Sequence, residues 1–208
     1  LPSRIVSLCI AGLFILSAAC TQPSTMDAVA PVSKVEHPEW SKNATIYEVN
    51  VRQYTPEGTF NAFSEHLPRL KEMGVDILWF MPIHPIGKIN RKETERSMGS
   101  YYSVQDYKAV SSDYGTEEDF RRMVEQAHGL GMKVILDWVP NHTAWDNPWT
   151  ENKDWYVLNE EGDFIPPLGT DWTDVIQLDY TNDEMRAAMI DAMKYWVAEF
   201  GVDGYRCD

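Results

Sequence analysis

The sequence predicts an α/β protein whose folded part is the first half of a (β/α)8 barrel, and three observations predict it. One joint recurs three times, at residues 71–80 (KEMGVDILWF), 128–139 (HGLGMKVILDWV) and 198–208 (AEFGVDGYRCD). Each reads as a helix end, a glycine suited to the left-handed cap, an apolar and a polar residue, then a strand. The strands themselves, TIYEVNV, DILWFMP, KVILDWV and GYRCD, are short and mostly apolar, as strands covered on both faces are. Finally, the stretch EVNVRQYTPEG holds no glycine-rich phosphate loop of the kind a doubly wound sheet carries after its first strand. Alternating strands and helices imply a parallel sheet with right-handed crossovers. Four strands are half a barrel. A whole one takes about 250 residues, so the second half is expected beyond Asp208 of this 208-residue chain.

Two segments of different character precede the first strand. Arg4 is followed by an apolar run over residues 5–16, then Ser17, Ala18, Ala19 and Cys20. Residues 1–19 read as a secretory signal, shorter than the roughly 20 apolar residues of a membrane span. Cys20 stands where a bacterial lipoprotein is acylated after cleavage, although Ser17 occupies a position that usually holds Leu. The expected location is across the inner membrane, periplasmic or at the cell surface, held by lipid at Cys20. Residues 20–39 are rich in Ser, Thr, Pro and Ala without periodicity and read as a flexible tether. Cys9 leaves with the signal and Cys20 takes lipid, so Cys207 is left alone and no disulfide framework forms within the chain.

The folded part, residues 40–208, starts near Trp40. Its first helical segment contains Pro68, which must start a turn or kink the helix. In the next, Thr116 and Asp119 form a capping-box pattern ahead of Phe120, Met123, Val124 and Ala127. In the last, Asn182 or Thr181 caps a helix whose apolar positions Met185, Met189, Ala192, Trp196 and Phe200 fall at helical spacing. Residues 141–182, between the third strand and that helix, read as a long loop or small domain. The composition, 44% hydrophobic and 12% aromatic, suffices for one sizeable core. A net charge of −14 excludes nucleic acid as a partner, because polyphosphate is repelled.

In a barrel the working residues lie at the C-terminal ends of the strands. The third strand ends in DWVPNHT, which puts Asp137, Asn141 and His142 together on one rim. The fourth ends at Arg206 and Asp208. Side chains alternate along a strand, so these two share a face while Tyr205 and Cys207 take the other, Cys207 against the helices. A guanidinium beside Asp208 favours the ionised acid, as a nucleophile requires. The second strand leads to His84 and a long loop ending in GSYYSVQDYKAV.

The segments DWVPNH and GVDGYRCD resemble two signature regions of glycoside hydrolase family 13, the alpha-amylase family. YYSVQDY and LDYTN fall where that family has further familiar segments. The resemblance covers residues 40–208, about the first half of the family's catalytic barrel. It implies retaining cleavage of α-glucosidic bonds in an α-glucan. Asp208 would be the nucleophile and Arg206 the arginine that orients it. His142 would hydrogen-bond the sugar beside the scissile bond, Tyr102 would be the aromatic platform beneath it, and Asp137 would support the rim. The family's general acid, a Glu, and a second Asp come from later strands. In many members the Asn of the NH pair binds calcium with an Asp from the following loop. Here Asn141 is a candidate ligand, but Gln177 stands at the position of that Asp. Trp145, Trp149, Trp155 and Trp172 are either a small-domain core or surfaces on which sugars stack. Transfer of the glucosyl unit to another sugar, or a non-catalytic binding role, are the alternatives.

Overall fold

The computed structural model describes residues 36–94 and 97–208; the anticipated signal and acylated cysteine fall outside them. Four parallel strands make the central sheet, in the order β1 (Ile46–Val49), β2 (Ile77–Phe80), β5 (Lys133–Trp138) and β8 (Gly204–Cys207). The interval between β1 and β2 holds three short helices, α1 (Val51–Tyr54), α2 (Phe60–Ser64) and α3 (Leu67–Glu72). Pro68 lies in the first turn of α3, where its missing N–H is no loss. Helices α4 (Glu117–Gly129) and α5 (Asp183–Phe200) fill the next two crossovers.

The caps follow from the side chains. Thr116 Oγ1 accepts from the Asp119 amide while the Asp119 carboxylate accepts from the Thr116 amide, closing the capping box of α4. At α5 it is Asn182 that caps, accepting from the Met185 amide at 3.0 Å. Thr181 bonds Asp179 instead. Gly201 ends α5 at φ 69°, a left-handed conformation that a Cβ would strain.

The two faces of the sheet differ. Leu78, Phe80, Val134, Leu136 and Trp138 point to the helices and are fully buried. They pack into an aromatic core in which Phe80 meets Phe63 and Phe120, and Phe120 meets Trp196 and Phe200. Each such ring contributes about 1.5–3 kcal/mol by leaving water. The other face carries Trp79, Ile135, Asp137 and Arg206, with Ile46 56% exposed at its edge. This is the face on which the site is built.

Two small antiparallel pairs rise above the C-terminal ends of the strands. One joins β3 (Glu93–Thr94) to β4 (Ser97–Met98), the other β6 (His142–Ala144) to β7 (Val175–Gln177). Trp145, Trp149 and Trp155 are half-buried against the core around the second pair. Tyr107 is buried beneath the rim, its hydroxyl 2.6 Å from the Val139 carbonyl and 2.8 Å from that of His142. Cys207 corrects the expectation of a packed thiol: it is exposed, because no described residue covers the last position of β8.

Candidate active site

Strand register assembles the site. Asp137 of β5 pairs with Arg206 of β8, so both side chains leave the same face side by side. Arg206 Nη1 lies 3.2 Å from Asp137 Oδ1 and also contacts the Asp208 carboxylate. The guanidinium carbon stands 4.9 Å from the centre of the Trp79 ring, and the Trp79 indole N–H donates to Asp137 Oδ2 at 3.1 Å. The hydrogen bond to Asp208 holds Arg206 firmly charged, with Asp137 adding to it. Asp137 is inaccessible to solvent, and its burial pushes its carboxyl above the usual range despite the arginine beside it.

Tyr102, from the loop after β4, and His142, at the start of β6, close the site. The Tyr102 hydroxyl stands 3.4 Å from Asp137 Oδ2. Burial, then the charges of Asp137 and Asp208, pushes the phenol up to about 12, so it stays neutral. His142 is buried, and burial lowers its pKa. Its Nε2 pairs with the Tyr102 carbonyl at 3.1 Å and its Nδ1 with the Asn141 carboxamide nitrogen at 3.1 Å. That pattern fits a neutral imidazole protonated at Nε2. A cavity of about 490 Å³ opens here, lined by Tyr102, His142, Asp208, Trp172, Asp174 and Lys92 among others. All six expected residues therefore meet at one rim: Tyr102, His142 and Asp208 line the cavity, Arg206 and Asp137 contact them, and Asn141 is a partner of His142.

Asn141 and Gln177, the two positions at which the resemblance bears on calcium, both have partners within the protein. Gln177 spends its side-chain oxygen on the Leu168 amide at 2.9 Å, and Asn141 turns its nitrogen to His142. Among the described residues no three His, Cys, Asp or Glu side chains converge as ligands, where calcium takes about 6–8 oxygens.

Sequence reasoning missed three participants. Trp79 was within reach, since alternation along β2 puts it on the face of Ile77 and hence of Arg206. Lys92 and Asp174, whose charged atoms lie 3.8 Å apart, carry no local signal, because they meet only when two distant loops fold.

A parallel α/β sheet with a carboxylate–guanidinium pair at its C-terminal rim defines a class, and comparison specifies it. Residues 27–171 match the family model for the alpha amylase catalytic domain. The chain belongs to the alpha-amylase family. It is 45% identical to an alpha-amylase from Lactobacillus plantarum of known structure, with a TM-score of 0.75, over 80% of this chain and 38% of that one. A maltogenic alpha-amylase from Thermotoga neapolitana is 41% identical, with a TM-score of 0.74, over 81% and 39%. The alpha-amylase MalA of Haloarcula japonica is 29% identical over 86% of this chain and 27% of its own length. The chain thus spans about a third of the length of these relatives.

Proposed function

We propose that the full-length protein carrying this chain is a retaining α-glucan hydrolase, and that Asp208 is its nucleophile. The observation that carries the reading is the placement of the Asp208 carboxylate on Arg206, at the end of a strand and in the wall of the cavity lined by Tyr102 and His142. Arg206 holds the carboxylate in place and aims it. Tyr102 offers a neutral ring and hydroxyl to the sugar held above Asp208. Attack on the anomeric carbon forms a glycosyl ester, and an acid from a later strand protonates the leaving oxygen, the two carboxyl groups standing about 5–5.5 Å apart. The barrel is completed by strands that cover the open face of Trp79 and Ile135. His142 and Asn141 act as polar bracing of this rim. The protein works beyond the inner membrane, anchored through Cys20.

The test is proton NMR of the first product released from maltotetraose by the full-length protein. Retained α-configuration supports the reading; inverted β-product refutes it. Products longer than maltotetraose, formed in place of the water-cleaved sugars, would assign the transferase alternative. Binding of maltotetraose without turnover would assign the non-catalytic one.

A further inference from the structure

Four tryptophans lie in residues 141–182, and the fold separates them. Trp145, Trp149 and Trp155 are half-buried against the core, whereas Trp172 is 46% exposed and faces the cavity that holds Asp208. Its ring meets the His142 imidazole edge-on, with centroids 5.6 Å apart and planes at 65°. A contact path therefore runs from Asp208 through Arg206, Asp137, Tyr102 and His142, with Trp172 at its far end.

The backbone around this exposed ring is tied down by side chains from elsewhere. Lys92 Nζ donates to the Asp171 carbonyl at 3.1 Å and lies 3.8 Å from the Asp174 carboxylate. The Trp145 indole donates to the Thr173 carbonyl at 3.0 Å. Ser103 donates to the Asp174 carbonyl at 2.9 Å. Three neighbouring carbonyls are thus held from three directions while the one large apolar side chain among them is left open to the cavity. An exposed indole gains little from folding by itself. Held rigid beside the cavity, it gains by covering the apolar face of a ligand ring at low entropic cost. The cavity's volume falls within the 300–1,000 Å³ typical of sites for ligands larger than one pyranose ring.

We infer that Trp172 is a specificity-determining residue: it stacks on a glucosyl unit next to the one held at Asp208, and the Lys92 clasp fixes its orientation. The inference rests on the α-glucan reading above. It makes the enzyme favour chains over single glucosides, because only a substrate with a further sugar reaches the indole.

The experiment compares kcat/KM on maltotetraose with kcat/KM on p-nitrophenyl α-glucoside in the full-length protein. Trp172→Ala lowers that ratio about tenfold, chiefly through KM on the oligosaccharide, as the loss of one aromatic contact implies. Trp172→Phe restores most of it, and Lys92→Met lowers it in the same direction. An equal loss on both substrates would show a merely structural role, and an unchanged ratio would remove Trp172 from the site; either overturns the inference while leaving the hydrolase intact. An unmutated protein inactive on both substrates overturns the function proposed above and this inference with it.

Discussion

Arg206 rests on the face of Trp79, its guanidinium carbon 4.9 Å from the ring centre, while the edge of the same group meets Asp137 and Asp208. A flat cation is needed to stack on an indole and fork toward carboxylates at once. Asp208 is therefore aimed by a group that is itself fixed on two sides.

Asp208→Asn keeps the shape of the side chain and removes its charge. Turnover of α-glucan by the full-length protein falls by roughly three orders of magnitude or more, with folding intact. Arg206→Lys is harmful but milder, since an ammonium loses the planar contacts, and Cys207→Ala is nearly silent. A 2-fluoroglycosyl fluoride labels the peptide containing GYRCD, read by mass spectrometry. Label on any other acid would remove Asp208 from the role.

Gly87 sits where the loop after β2 touches β6. A Cβ built there falls 2.2 Å from the Ala144 Cβ and 2.8 Å from Asp146 Oδ1. Gly87→Ala must push the two loops apart and costs about 1–3 kcal/mol, the usual penalty of overpacking. The melting temperature drops by several degrees. An unchanged melting curve would mean that the contact yields freely.

His84 is buried between Tyr107, Trp138 and Trp196, with Nδ1 on the Ala109 carbonyl and Nε2 without a partner among the described residues. Burial lowers its pKa to about 4. The unfolded chain, with an ordinary imidazole near 6.5, binds the proton first. Stability is therefore full above about pH 6.5 and falls as the pH drops toward 4, by about 3 kcal/mol at most. His84→Gln flattens this part of the stability-versus-pH curve, measured by urea unfolding between pH 7 and 4.5. An equal slope in both proteins would place the acid sensitivity elsewhere.

The 208-residue chain expressed by itself presents Ile46 and the half-buried Trp79 and Ile135 on the uncovered sheet face, with β1 and β8 each paired on one side only. Unpaired strands and exposed apolar area favour association. It binds anilinonaphthalene sulfonate and self-associates in sedimentation experiments. A monomer with a sharp cooperative transition would contradict this.

Anchoring is tested at Cys20. Wild type expressed in a bacterium incorporates labelled palmitate and sediments with membranes, whereas Cys20→Ser does neither. Equal behaviour of the two would assign ordinary cleavage.

The central sheet was legible because its signals are local. The three glycine joints, the Thr116–Asp119 box and the apolar spacing from Met185 to Phe200 each involve residues within a few turns of one another. Arg206 and Asp208 were legible for the same reason, being two residues apart on one strand. Asp137 was read as support for its rim, but its contact with Arg206 depends on the register between β5 and β8, which spacing along either strand cannot supply. The breaking of the first crossover into α1, α2 and α3 was only half visible, through Pro68. The division of labour among the tryptophans was not visible at all, because Trp172 differs from Trp145 and Trp149 by what the fold brings against it.

Tyr107 sets an order of assembly. Its hydroxyl binds carbonyls 32 and 35 residues ahead, and its own carbonyl receives the Trp196 indole from 89 residues ahead. The Trp196 contact closes the longest of these loops of chain and is therefore the costliest to form early. On a ribosome, the Trp196 side of this junction stays open until α5 has been made. The loop bearing Tyr102 thus gains its last fastening from a helix that enters the fold nearly ninety residues downstream.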